Sequence, residues 1–134
     1  RRSSDLVLPA VPKDAWVGIR THDMPAFAAT ADELDLARYR EALAAELGED
    51  VPAEGEPGSD GQFVGLHDAM ARRLFKSDAF EVGIDLDDVL GETASHTVPG
   101  TIADTNWSRR SASPVEALRD DERVTRTFST MTRP

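Results

Sequence analysis

The chain has 134 residues, a formal net charge of −10 from 25 acidic and 15 basic side chains, 40% hydrophobic residues and no cysteine. Phosphate recognition needs clustered Lys and Arg, so this balance argues against a nucleic-acid partner and against anionic membrane surfaces, and leaves a neutral substrate such as a sugar open. Disulfides and thiolate metal sites are excluded, no apolar run approaches the ~20 residues of a membrane span, and the length suits one modest domain with one core.

Residues 1–14 read as an extended, polar N-terminal segment in which Pro9 and Pro12 block a helix. The sequence opens at Arg1 without an initiating Met and without the apolar stretch of a signal peptide, so a piece of a longer chain and a cytoplasmic location are expected. Residues 15–20 carry Trp16, Val17 and Ile19 and predict a short strand, with Gly18 marking close backbone approach. The strand runs into Thr21-His22-Asp23-Met24-Pro25.

Three helices are predicted from a shared start signal, a hydroxyl residue followed three positions later by Glu or Gln. The signal occurs at Thr30–Glu33, at Ser59–Gln62 and at Ser113–Glu116, the last with proline at the second position. Apolar steps of three and four follow. Leu36, Tyr39, Leu43 and Leu47 share one helical face, Phe63, Leu66, Met70 and Leu74 a second, and Val115, Leu118, Phe128 and Met131 a third. Gly48 suits a C-cap, and residues 49–58 form an acidic Pro/Gly loop. Phe80, Val82, Ile84 and Leu86 alternate with period two and predict a second strand over 80–86. "DDVLGE" then turns, and residues 93–112 read as a long loop.

Two strands alone cannot make a two-sided core. The order strand, helix, helix, strand, loop, helix therefore describes either a helical cluster or part of a larger sheet. In barrel enzymes catalytic groups stand just past the C-terminal ends of strands, which is where Asp23 falls. Thr21 and Asp23 also suit a plain turn. Asp87-Asp88 reads as a carboxylate pair or as a cap after the second strand, and the basic islands Arg72-Arg73 and Ser108–Arg110 as local ion-pair partners. His67-Asp68 repeats the His-Asp pairing and raises a helical metal hydrolase as one reading. Three scattered imidazoles, His22, His67 and His96, make a sparse ligand set, so no metal is expected.

"THDMP", "DLDDVLGE" and "VPGTIADTNWSRR" taken together resemble the C-terminal part of the 4-α-glucanotransferases, the amylomaltase or disproportionating-enzyme family, from about Ala15 to Val124. The sequence departs from the family where Ser95-His96-Thr97-Val98 stands in place of a Gln-x-Asn stretch, and where Thr30 and Ala31 replace a Trp. The resemblance implies an α/β fold: residues 15–134 as the last two strand–helix units of a TIM (β/α)8 barrel, mostly helical with two short parallel strands. It implies that Asp23 stabilises a transition state by gripping sugar hydroxyls and that His22 contacts a glucose hydroxyl. Asn106 and Trp107 match family positions and join the substrate-binding set. The implied partner is an α-1,4-glucan, cut and passed on by a retaining double displacement that needs no cofactor and whose nucleophile and acid/base lie upstream. Self-association through exposed barrel edges is expected of the segment alone. The alternative is a stand-alone acidic helical interaction module without catalysis.

Overall fold

The computed structural model of the chain describes residues 6–30, 35–52 and 63–131. In order these form strand β1 (Trp16–Gly18), helices α1 (Phe27–Thr30), α2 (Leu36–Leu47) and α3 (Val64–Phe75), strand β2 (Glu81–Gly83), helix α4 (Leu86–Val89), a 3-10 helix (Val115–Asp120) and helix α5 (Glu122–Ser129). The strands pair in parallel, Trp16 opposite Glu81, Val17 opposite Val82 and Gly18 opposite Gly83. Parallel neighbours need a crossover, and the connection through the first three helices supplies it. Among the described residues helices thus far outweigh the two parallel strands, as expected.

Both strands are shorter than the predicted 15–20 and 80–86, and local chemistry explains the shortening. Beyond Gly18, Ile19 packs against the helical core and Arg20 turns into an ion pair. Beyond Gly83, Asp85 accepts a hydrogen bond from the Asp87 N–H at 2.9 Å and starts α4. The alternation at 80–86 therefore does not mark one buried face: Phe80 is 73% exposed.

The core lies between α2 and α3. Leu43 and Leu66 are fully buried at its centre, with Phe27, Val51, Phe63 and Ala69, while Leu36, Tyr39, Leu47 and Met70 close around them. α2 ends at Gly48, whose left-handed φ of 70° returns its N–H to the Ala44 carbonyl. α3 is buried far beyond its apolar stripe, with Gly65, His67, Asp68 and Ala71 also inside. Gly65 permits this: a Cβ there would stand 2.7 Å from the Pro52 carbonyl oxygen.

The helix starts differ from expectation. Thr30 ends α1, its hydroxyl donating to the Phe27 carbonyl at 2.9 Å, and Asp35 caps α2 instead by accepting from the Arg38 N–H. The box at Ser59–Gln62 lies outside the described residues. After Ser113 a 3-10 helix forms with extended Pro114 as its cap residue and no side-chain capping bond. Asp121 then caps α5. The stripe expected from Val115, Leu118, Phe128 and Met131 does not form, since Val115 and Phe128 are exposed and Thr127 is the buried residue of α5. Its hydroxyl donates to Asp68 Oδ1 at 2.7 Å, a bond that docks α5 on α3.

Candidate functional site

At the C-terminal end of β1 the chain makes a tight turn, with the Met24 N–H donating to the Thr21 carbonyl at 3.0 Å. His22 and Asp23 stand on this turn with side chains 63% and 64% exposed, His22 Nε2 lying 3.2 Å from Asp23 Oδ1. The backbone beneath them is held firmly. Arg20 Nε donates to both oxygens of Asp88, at 2.7 and 2.8 Å, and its Nη2 lies 3.1 Å from Asp85 Oδ1. Arg20 Nη1 donates to the carbonyls of Thr21 and Met24, at 3.2 and 3.4 Å. Asp88 also accepts from the Phe27 N–H at 2.9 Å, so one carboxylate of α4 grips the turn at both ends. The pair is well shielded, the Arg20 and Asp88 side chains being 8% and 1% exposed.

The turn borders a groove of about 350 Å³ lined by Trp16, Arg20, Thr21, His22, Asp23, Gly83, Ile84 and Asp85. Every one of these comes from a strand or from the residues just after it, so the groove opens where the two parallel strands end.

The loop after α4 folds over the same end. Arg109 links Asp87 Oδ2 at 2.7 Å to Glu92 Oε2 at 2.9 Å, and Glu92 Oε1 accepts from the Ala112 N–H at 2.9 Å. His96 Nε2 lies 2.8 Å from Asp87 Oδ2 and 3.2 Å from Arg109 Nη2. The shorter contact favours a proton on Nε2 donated to Asp87. This anchorage sets Trp107 against two imidazoles. Its ring stacks on His96 at 6.1 Å and 13°, and meets His22 at 5.7 Å and 43°. Trp107 has φ of 62°, a left-handed conformation that is rare for a bulky residue and typical of functional positions. Its N–H donates to the His96 carbonyl at 2.6 Å.

Of the residues singled out in the sequence, His22, Asp23 and Trp107 therefore meet. Asn106 is adjacent but its side chain is occupied. Its Oδ1 accepts from the Val98 N–H at 3.2 Å and its Nδ2 donates to the Thr101 carbonyl at 3.1 Å, which holds the Pro-Gly-Thr turn in place. Asp87 and Asp88 are not two free carboxylates facing a cleft, because each is spent on the ion pairs described. Arg72 and Arg73 pair with Glu49 and Glu46 at 2.8 and 2.7 Å, the local role expected of a basic island.

His67 is buried edge-on against Phe27, ring centroids 5.5 Å apart, and among the described residues no group of three or more His, Asp or Glu could hold a metal ion. Burial pushes the Asp68 carboxyl up, but contacts from its neighbours outweigh it and hold the group below the ordinary value of 3.8. His67 Nδ1 is 3.8 Å away, too far for a hydrogen bond, so the Thr127 hydroxyl and the Arg126 guanidinium at 3.0 Å carry the lowering. Local pattern carries no sign that Asp88 holds Arg20, that Arg109 reaches Asp87 or that His96 stacks on Trp107; the first two contacts span 68 and 22 residues.

No protein-family model matches the chain, and no curated protein does. Among solved structures it is similar to amylomaltase from Corynebacterium glutamicum, with a TM-score of 0.63 and 22% sequence identity, over 98% of this chain and 24% of that chain. The chain folds as part of an amylomaltase does. The family resemblance carried by "THDMP" and "VPGTIADTNWSRR" is thus met by a likeness of fold along nearly the whole chain. The chain spans about a quarter of the length of that amylomaltase.

Proposed function

We propose that this chain is the C-terminal part of a 4-α-glucanotransferase and forms the last two strand–helix units of its barrel, with His22 and Asp23 facing an α-1,4-glucan. The observation that carries this reading is the location of the His22-Asp23 turn. It stands at the exits of two parallel strands, in a chain that matches an amylomaltase over 98% of its length. In barrels that end carries the chemistry.

The roles follow from the transition state of glycosyl transfer. As the glycosidic bond breaks, the ring flattens toward an oxocarbenium ion and hydrogen bonds to its hydroxyls strengthen. Asp23, held by a rigid backbone and open to solvent, makes short charge-assisted bonds to such hydroxyls. His22 supplies a second contact, oriented between Asp23 and the Trp107 ring. Trp107 offers an exposed ring face at the edge of the site, and Asn106 keeps the Pro-Gly-Thr turn that carries it. Retaining transfer also requires a nucleophile and an acid/base carboxylate ~5 Å apart. The reading assigns both to barrel strands outside this chain, and it calls for no metal or cofactor.

The 134-residue chain alone should not disproportionate maltotriose. Grafted in place of the matching quarter of an amylomaltase, residues 15–134 should support transfer, and Asp23→Asn in the graft should reduce it by about 10²–10³-fold, the loss typical of removing one group that stabilises transition-state charge. A folded graft without activity, or activity indifferent to residue 23, overturns the reading.

A further inference from the structure

We infer that the Arg20–Asp88 pair is a positioning device for the His22-Asp23 turn, rather than one more tie in the core; this rests on the glucan reading only for what the turn is presented to. The pair is unusual in being directed at one short stretch of backbone. Asp88 holds the residue before the turn, through Arg20 Nε, and the chain just after it, through the Phe27 N–H. The remaining donors of Arg20 reach into the turn at the Thr21 and Met24 carbonyls, while Nη2 ties it to Asp85 beyond the end of β2. Both carbonyls so held flank the His22-Asp23 pair, and the clamp touches neither of those two side chains. They are thus free to meet a ligand while the peptide units carrying them are fixed. A planar guanidinium with five donors can do this, and a lysine cannot.

The arrangement also separates positioning from stability. Removing one partner of a shielded ion pair leaves an uncompensated charge and destabilises strongly, whereas replacing both together by uncharged groups of similar volume that pack in their place removes that penalty. Arg20→Gln paired with Asp88→Asn should therefore keep the fold. The amide oxygen introduced by Asp88→Asn can still accept from the Phe27 N–H, but the fork to Thr21, Met24 and Asp85 is gone.

The test is NMR on the 134-residue chain. In the wild type the His22 ring protons should be displaced by the Trp107 ring current and show cross-peaks to the indole. In the double variant that displacement and those cross-peaks should be lost, while methyl signals of Leu43 and Leu66 stay in place. In Arg20→Lys, which keeps the charge but not the fork, the His22 displacement should be reduced with the core again unchanged. A double variant that keeps the His22 signature overturns the inference. A double variant that loses the core signals as well also overturns it, because the pair would then serve the fold rather than the turn. Titrating the wild-type chain with maltoheptaose separates the two ideas: a chain that ignores the sugar while both variants release His22 weakens the glucan reading and leaves the clamp intact.

Discussion

The indole of Trp16 lies across Gly83 on the neighbouring strand, so close that a Cβ at Gly83 would stand 2.6 Å from Trp16 Cζ2. The glycine is what lets the ring bridge the two strands at the floor of the groove. Trp16 is already exposed, so it has somewhere to go, and Gly83→Ala should swing it further into solvent rather than unfold the chain. The expected cost is about 1 kcal/mol of lost apolar contact. In a Trp107→Phe background, tryptophan emission should shift to the red and the denaturant midpoint should fall slightly. Unchanged emission would mean that the strands part instead of the ring.

That contact shows what was legible from the sequence. Period and composition identify local features: the Leu36, Tyr39, Leu43 and Leu47 face, the Gly48 cap and two strand cores all appear where the residues suggest. They fail at Thr30, whose hydroxyl pattern points to a cap of α2 but which ends α1, while Asp35 accepts from the Arg38 N–H instead. They fail again where a partner is remote. Nothing near Arg20 announces Asp88, and nothing near Trp107 announces a stacked His96. The turn of the candidate site is therefore visible as a motif, while the clamp beneath it and the loop over it arise from contacts between residues distant in sequence.

A second glycine tests the core against helix propensity. Alanine is favoured over glycine inside a helix by up to ~1 kcal/mol, which taken alone makes Gly65→Ala stabilising. Here the added Cβ meets a backbone carbonyl, that of Pro52, at 2.7 Å. Backbone cannot step aside as a side-chain tip can, and overpacking of this kind costs about 1–3 kcal/mol. The net expectation is a lowered melting temperature by calorimetry. A raised one would show that the segment at Pro52 yields.

Acid should loosen the docking of α5. Asp68 is held below its ordinary value of 3.8 in the folded chain, and Asp121 is lowered to about 2 by the side-chain bonds of Arg123. A folded-state pKa below the unfolded one contributes stability that is present above the unfolded value and lost as pH falls through the folded one. For these two groups the loss begins below about pH 4 and, for Asp121, runs down to about 2. Thr127→Val removes a buried hydrogen bond to a charged group, so about 1.5–3 kcal/mol should go at neutral pH. Much of the difference from wild type should vanish once Asp68 is protonated. Parallel denaturant titrations at neutral pH and stepwise into acid, down to where the wild type's own acid-dependent loss is complete, measure both, and a gap of constant size throughout would dissociate the bond from the carboxylate's charge.

Trp107 sets conformational strain against function. A left-handed φ costs a non-glycine residue roughly 1–2 kcal/mol, and glycine would not bear that cost. Trp107→Gly should therefore recover part of what it loses in stacking on His96, leaving stability within about 1 kcal/mol of wild type. The site should suffer nonetheless. His22 loses its ring neighbour, and in the amylomaltase graft the variant should raise KM for maltotriose while Trp107→Phe, which restores an aromatic face, recovers most of it. The strain is then explained by the ring it places over His22. If the glycine variant instead unfolds, or the graft ignores residue 107, the strained conformation belongs to loop folding and the indole has no part in holding sugar.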